Sequence, residues 1–218
     1  MINRAELKQQ AKSLIKGKIG ILFVVLLVFY VVTFAITLIP SFLSASENGL
    51  VATIGTILTF VAAFASAPLS VGLLLVYLDV AKGESVAVKR LFDGFSYFVK
   101  AVILMILVGV FTFLWSLLFI VPGIIKSFSY SQAFLILAEN PDMSPLEAIN
   151  ESKRMMDGHK WEYFVLSLSF ILWYLLCYVT CGIAMIYVVP YMQTTLVLFY
   201  LNIKGDNTVD MTSATTEM

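Results

Sequence analysis

Charged residues are scarce in this sequence. They make up 13% of its 218 residues, whereas apolar residues make up 60%. Soluble domains have about a quarter charged and about half apolar residues, and their cores cannot bury so large an apolar fraction. At about 20 apolar residues per bilayer crossing, the chain has room for six helices and short loops. The composition therefore excludes an ordinary soluble protein and predicts an all-α membrane protein with six transmembrane helices.

Cysteine and histidine, which carry much of protein chemistry, are also nearly absent. Cys177 and Cys181 lie four residues apart in an apolar run with no histidine or carboxylate beside them, so neither a disulfide framework nor a zinc site is supported. His159, the only histidine, stands at the predicted end of a helix. The predicted spans contain almost no nucleophiles, paired carboxylates or metal-ligand clusters. We therefore expect no enzymatic activity, no cofactor and no metal site.

Apolar runs, separated by polar or proline-containing segments, predict where the helices lie. A tight turn is expected at residues 121–123, and the tail 205–218 is polar enough to be a disordered cytoplasmic segment. Residues 1–204 are thus predicted to form a single polytopic membrane domain. Its predicted spans are 20–39, 50–77, 99–120, 124–138, 161–179 and 184–203.

Three short amphipathic segments precede the first, third and fifth spans. They cover residues 5–16, 81–94 and 144–156, and each reads as a helix lying in the lipid headgroup plane. In the last of them, Ser144 and Glu147 form a capping-box pattern with Pro145 at the first helical position. Together these segments are predicted to form a collar on the cytoplasmic face of the membrane.

The basic residues predict the orientation of the chain. Of the 14 Lys and Arg residues, 13 fall on the side shared by the amphipathic segments and both chain ends, and only Lys126 falls toward the other side. Loops rich in Lys and Arg stay in the cytoplasm. We therefore expect a multi-pass protein of the cell membrane with both termini in the cytoplasm.

An internal repeat is visible at the ends of the amphipathic segments. Residues 89–94, Lys-Arg-Leu-Phe-Asp-Gly, match residues 153–158, Lys-Arg-Met-Met-Asp-Gly, at four of six positions. The later spans also match: Tyr130 and Gln132 correspond to Tyr191 and Gln193 at an offset of 61, Pro68 corresponds to Pro190 at 122, and Lys12 corresponds more weakly to Lys153 at 141. These matches predict three parallel units, each an amphipathic helix and a transmembrane hairpin, over residues 3–80, 81–141 and 142–204. The alternative is that unrelated hairpins look alike because lipid selects one composition everywhere.

Two stretches resemble a known family. Residues 115–126, Trp-Ser-Leu-Leu-Phe-Ile-Val-Pro-Gly-Ile-Ile-Lys, are similar to the signature of the bacterial membrane proteins called domain-of-unknown-function family 975, and so are residues 144–160. The resemblance extends from Leu7 to Leu201. It implies a polytopic membrane protein, mostly found in Gram-positive bacteria, whose biochemical activity is not established.

A set of polar residues within the predicted spans is the first candidate site. Lys126 is the one firmly charged residue inside a span, and it either reaches the outer headgroups or serves a buried site. The other polar side chains either hold helices together by hydrogen bonds or line a ligand site, as in a small transporter or permeability protein. The candidate residues of this polar seam are Lys126, Tyr130, Gln132, Tyr191 and Gln193.

Basic residues of the collar are the second candidate site, since each would gain roughly 1 kcal/mol near an anionic leaflet. They predict a non-enzymatic protein that binds or organises membrane lipids, or that binds another membrane or cytoplasmic protein, but not nucleic acid. Anchoring of the chain alone also explains them. The candidate headgroup contacts are Lys12, Lys16, Lys89, Arg90, Lys153, Arg154, His159 and Lys160.

Overall fold

The protein is a bundle of helices. The computed structural model describes residues 3–205, and within that range it contains no β-strand. The predicted disordered tail therefore lies outside the described residues, except for Gly205. A single 3₁₀ helix among the described residues spans Val88–Tyr97. The α-helices are α1 (Arg4–Ile15), α2 (Ile19–Ser44), α3 (Gly49–Ala81), α4 (Phe98–Leu118), α5 (Ile120–Tyr130), α6 (Ala133–Glu139), α7 (Pro145–Met155), α8 (Lys160–Leu168), α9 (Ile171–Val179) and α10 (Met185–Lys204).

Five segments within residues 3–205 are long and apolar enough to cross a bilayer, by length and composition. This confirms an all-helical chain with the character of a membrane protein. The segment predicted as the fourth span is not among the five, because it is divided into the two short helices α5 and α6. The five segments are Ile19–Ser44, Gly49–Ala81, Val88–Leu118, Lys160–Val179 and Met185–Lys204.

The break between α5 and α6 is stabilised by a side chain from the collar. The hydroxyl of Ser152, on α7, donates to the carbonyl of Ser129 at 2.8 Å and accepts from the backbone N–H of Gln132 at 3.2 Å. Backbone groups released by a helix break are costly to bury unless another group pairs with them. Ser152, which is fully buried, supplies that pairing.

The predicted turn at residues 121–123 is wrong. The chain reverses at Phe119, whose backbone is extended, and Pro122 and Gly123 already belong to the first turn of α5. Proline is compatible with that position because the first N–H groups of a helix have no partner within the helix. The capping box of α7 is confirmed, with Ser144 and Glu147 each accepting a hydrogen bond from the other's backbone N–H. Those bonds also hold the pKa of Glu147 below its usual value.

Burial separates central helices from peripheral ones. In the most apolar 18-residue windows, 56% of the residues are buried in α3 and in α10, but only 11–17% in the other three candidate spans. The helix α6 is also mostly buried, with Leu135, Ile136 and Leu137 in the core. The core thus lies where α3, α6 and α10 run side by side.

Large apolar side chains cover the outside of the bundle. Phe34, Phe42, Phe113, Leu172 and Tyr178 each leave more than half of their surface exposed. So many exposed aromatic and aliphatic groups would be unfavourable in water, whereas hydrocarbon would cover them. The exposed surface therefore agrees with a membrane environment.

The three amphipathic segments, which we call the collar, pack beside the central helices. The 3₁₀ helix Val88–Tyr97 packs on α3, α7 packs on α6, and α1 packs on α10. The second segment differs from the short helix predicted over residues 81–94, because Ala81 still belongs to α3 and the helix spans Val88–Tyr97. It is a tighter 3₁₀ helix, whose Gly94 lies against the backbone of Pro68 and Gly72.

Candidate functional site

Two lysines of the collar lie over tyrosine rings of the core. The ammonium nitrogen of Lys12, on α1, is 5.6 Å from the ring centre of Tyr191, on α10. That of Lys153, on α7, is also 5.6 Å from the ring centre of Tyr130, at the end of α5. A cation over an aromatic face is attracted by the negative face of the ring. Each pair therefore joins a collar helix to a buried tyrosine of the bundle.

A concentration of positive charge lies at the start of α1. Lys8 places its ammonium nitrogen 4.6 Å from the ring centre of Phe170, at the break between α8 and α9. Lys8 and Arg4 line a cavity of about 440 Å³ together with Ser169. Burial lowers the pKa of Lys8, and repulsion from Lys12 and Arg4 lowers it further. An anion in this region would relieve that repulsion.

Four of the predicted headgroup contacts already have carboxylate partners. Arg90 forms a hydrogen-bonded pair with Asp79, at 2.9 Å, and a second pair with Asp93. The other three pairs each join residues three apart in sequence: Arg154 with Glu151, His159 with Glu162, and Lys160 with Asp157.

The remaining predicted headgroup contacts keep their charge available. Among residues 3–205, Lys12, Lys16 and Lys89 form no ion pair, and all three side chains are exposed. Lys153 bonds only to the neutral amide of Asn150, at 3.2 Å, apart from its contacts with aromatic rings. The collar therefore presents lysines that can attract anions from the surroundings.

The residues of the predicted polar seam lie in different places. Lys126 is half-buried, and its ammonium nitrogen is 4.6 Å from the ring centre of Trp115, on the other arm of the α4–α5 hairpin. Tyr130 lies under Lys153 and near Phe111, with ring centres 6.3 Å apart. Tyr191 belongs to an aromatic cluster with Phe170, Trp173 and Tyr187.

The two glutamines of the seam lie close to one cavity. Gln193 lines a cavity of about 460 Å³ between α2, α3, α4 and α10, and so does Ser131. The buried amide of Gln132 donates to the hydroxyl of Ser131 at 2.9 Å. Gln132 is therefore hydrogen-bonded to one lining residue, Ser131, and Gln193 is another. Lys126 is not among the residues that line this cavity.

Tyr77 lines the same cavity, and the sequence gave no reason to select it. Its ring is 1% exposed, and its hydroxyl oxygen has no hydrogen-bond partner among the described residues. A tyrosine near the end of an apolar run is common at membrane interfaces, so its sequence position carries no special signal. Only the packing of α3 against α2 and α10 reveals it.

A cluster of charges joins the C-terminal ends of the central helices. Glu139, at the end of α6, accepts hydrogen bonds from Lys82 at 2.7 Å, from Lys204 at 2.9 Å and from the Tyr200 hydroxyl at 2.6 Å. Lys82 follows α3 and Lys204 ends α10, so one carboxylate links all three helices. The sequence contained a signal for this, because Lys82 and Lys204 lie at the same offset of 122 as the two prolines.

Among residues 3–205, no group of three or more His, Cys, Asp or Glu side chains could hold a metal ion. Both cysteines are free thiols, Cys177 buried and Cys181 exposed.

A comparison with protein families finds a match over nearly the whole chain. The model of the family described as "Protein of unknown function (DUF975)" matches residues 1–129 and 119–207. No curated protein and no solved structure matches the chain.

Proposed function

The chain belongs to the DUF975 family of proteins of unknown function, and we propose that it is a non-enzymatic integral membrane protein that binds and organises anionic lipids. The observation that carries this proposal is the set of exposed collar lysines without acidic partners, Lys12, Lys16 and Lys89. Such lysines beside an apolar, lipid-facing surface attract anionic headgroups by about 1 kcal/mol each.

The proposed architecture is six crossings in three parallel hairpins. The hairpins are α2 with α3, α4 with α5 and α6, and α8 and α9 with α10, and each follows one collar segment. In this arrangement every collar segment packs on the second arm of another hairpin: the 3₁₀ helix on the first, α7 on the second and α1 on the third. That cyclic pattern supports a true repeat, because similar composition alone gives no reason for it.

Corresponding residues also make corresponding contacts. Lys12 and Lys153 match in sequence, as do Tyr191 and Tyr130, and both lysine–tyrosine pairs have the same 5.6 Å separation. At the remaining corresponding contact, the collar residue is Lys89, and Leu69 of α3 stands where the other two contacts have a tyrosine. In this unit the collar lysine therefore has no tyrosine at the corresponding position, and Lys89 is exposed.

The proposed orientation places the collar and both chain ends in the cytoplasm. Lys18, at the start of α2, donates to the Glu84 carbonyl at 2.7 Å, and Glu139 bonds Lys82 and Lys204. These contacts gather the start of α2 and the ends of α3, α6 and α10 at one end of the bundle. By the positive-inside rule, that basic end faces the cytoplasm.

The test compares two sets of basic residues in the intact chain. A triple variant, Lys12→Ala with Lys16→Ala and Lys89→Ala, is expected to lose most of the phosphatidylglycerol that the protein retains. The control variant removes three groups that already have carboxylate partners, by Arg154→Ala with His159→Ala and Lys160→Ala. Each protein is reconstituted in nanodiscs of mixed phosphatidylcholine and phosphatidylglycerol, and bound lipids are counted by native mass spectrometry.

Wild type and control should retain phosphatidylglycerol in excess of its share of the bilayer, and this excess should fall with added salt because salt screens the attraction. Equal retention by wild type and the triple variant contradicts the proposal. A protein that co-purifies in place of enriched anionic lipid would favour partner binding instead.

A further inference from the structure

The cavity between α2, α3, α4 and α10 has a lining that is mostly apolar and carries no charge among the described residues. Most of it consists of side chains such as Leu26, Phe29, Leu73 and Met105. None of the described residues that line it is charged. Moving an ion into such surroundings costs several kcal/mol unless an opposite charge or a set of hydrogen bonds compensates for it. The cavity therefore selects against charged ligands and favours a neutral one.

Apart from the exposed Tyr30 at its opening, two polar residues of this lining remain for a ligand. The hydroxyl of Tyr77 is buried and has no hydrogen-bond partner among the described residues. The amide of Gln193 lines the same space from α10. By contrast, the hydroxyls of Ser70 and Ser131 already donate to backbone carbonyls of their own chain segments, Ser66 at 3.2 Å and Phe128 at 2.8 Å.

The open side of the cavity faces the apolar exterior of the bundle. Of its lining residues, Tyr30 and Ser70 are exposed, and they lie on α2 and α3. Around Tyr30, the side chains of Leu27 and Val31 each expose at least half of their surface. In the proposed architecture that surface is covered by hydrocarbon. A ligand would therefore enter sideways from the bilayer and would have an apolar body.

We propose that this cavity binds a neutral, hydroxyl-bearing lipid of the monoacylglycerol type. Its hydroxyl group both donates and accepts, so it can pair with the Tyr77 hydroxyl and the Gln193 amide at once. Its acyl chain lies against the leucine and phenylalanine side chains and leaves through the opening beside Tyr30. The volume of about 460 Å³ is within the range of about 300–1,000 Å³ that is usual for small-molecule sites. This site is separate from the collar and takes a different class of lipid.

The experiment uses a monoacylglycerol with a diazirine in its acyl chain, added to the full-length protein in nanodiscs and crosslinked by light. Mass spectrometry should locate the label on the peptides of α2 and α3 that line the cavity. Tyr77→Phe removes only the hydroxyl and should reduce the labelling at least threefold. Tyr178→Phe is the matched control, because Tyr178 is 84% exposed and lies outside the cavity. A free fatty acid with the same diazirine chain should label these peptides several-fold less at a pH where its carboxylate is ionised.

Leu73→Trp provides a second variant, which fills the cavity without touching either polar group, and it should also remove the labelling. The collar variant that lacks Lys12, Lys16 and Lys89 should label like wild type, so failure of the anionic-lipid proposal and failure of this one are distinguishable. The inference is overturned if Tyr77→Phe and Leu73→Trp both label like wild type. It is equally overturned if the fatty acid labels as strongly as the monoacylglycerol, or if the label spreads evenly over the exposed helices.

Discussion

At the scale of single residues, the same amino acid can be required at two matching repeat positions for different physical reasons. Gly94 and Gly158 end the two matching six-residue stretches. Gly158 has a positive φ of 80°, which favours glycine at the end of a helix. Gly94 is instead needed because a Cβ there would lie 1.9 Å from the Pro68 carbonyl oxygen. A sequence comparison detects the shared glycine but cannot separate a backbone requirement from a packing one.

Glu139 provides a prediction at this scale. Its side chain is 8% exposed and accepts three hydrogen bonds, two of them from lysines. Hydrogen bonds to charged groups contribute roughly 1.5–3 kcal/mol each, partly offset here because both lysines would regain water. Glu139→Gln should therefore lower the free energy of unfolding by about 2 kcal/mol, measured by steric trapping in bicelles.

The matched control for that variant is Glu151→Gln, which removes the charge from an exposed pair with Arg154. Exposed pairs on one helix contribute little because water screens them, so this change should barely alter stability. If the two variants were equally stable, the carboxylate of Glu139 would not be joining the three central helices.

At the scale of helices and turns, the apolar runs and local caps could be predicted from the sequence, whereas breaks that depend on distant residues could not. The capping box of α7 was predictable because Ser144, Pro145 and Glu147 are neighbours. The break between α5 and α6 was not, because its backbone groups pair with Ser152, 20 residues further along the chain. The residues predicted as one polar seam lie in different places for the same reason. Helix spacing shows which residues share a face of a helix, but it does not show which neighbouring helix that face contacts.

The close contact of the 3₁₀ helix with α3 leads to a second prediction. Gly94→Ala would place a methyl group against the backbone of Pro68 and Gly72, at 1.9 Å and 2.5 Å from their nearest atoms. Backbone cannot move aside as a flexible side chain can, so the change should destabilise the protein by about 1–3 kcal/mol. Hydrogen exchange should become faster over residues 88–97 in particular.

Gly109→Ala is the control for this change, because Gly109 lies in α4 and a Cβ there would meet no atom within 4 Å. Alanine is the better helix former by about 0.8–1 kcal/mol, so this variant should be at least as stable as wild type. Similar losses in both variants would show that the contact at Gly94 is not tight.

At the scale of the whole molecule, the sequence predicted the membrane class but not which helices are central. Mean hydropathy alone does not rank burial, because the exposed segment Lys160–Val179, at 1.7, lies between the buried Met185–Lys204, at 1.3, and Gly49–Ala81, at 2.0. Burial follows instead from tertiary packing, because the collar segments pack chiefly on the second arms α3, α6 and α10, although the 3₁₀ helix also contacts α2 and α7 also contacts α4. The internal sequence repeat predicted the packing better than hydropathy did, because its matched lysines and tyrosines form two corresponding contacts.

Six crossings and three parallel hairpins require that residues 120–139 cross the membrane. The most direct measurement labels single cysteines from outside intact cells with a membrane-impermeant maleimide, after both native cysteines are replaced by serine. We predict that Glu47→Cys and Phe119→Cys are labelled in intact cells, and that Ser85→Cys and Asn140→Cys are labelled only after the membrane is permeabilised. Labelling of Asn140→Cys from outside, on the same side as Phe119→Cys, would contradict the three-hairpin architecture.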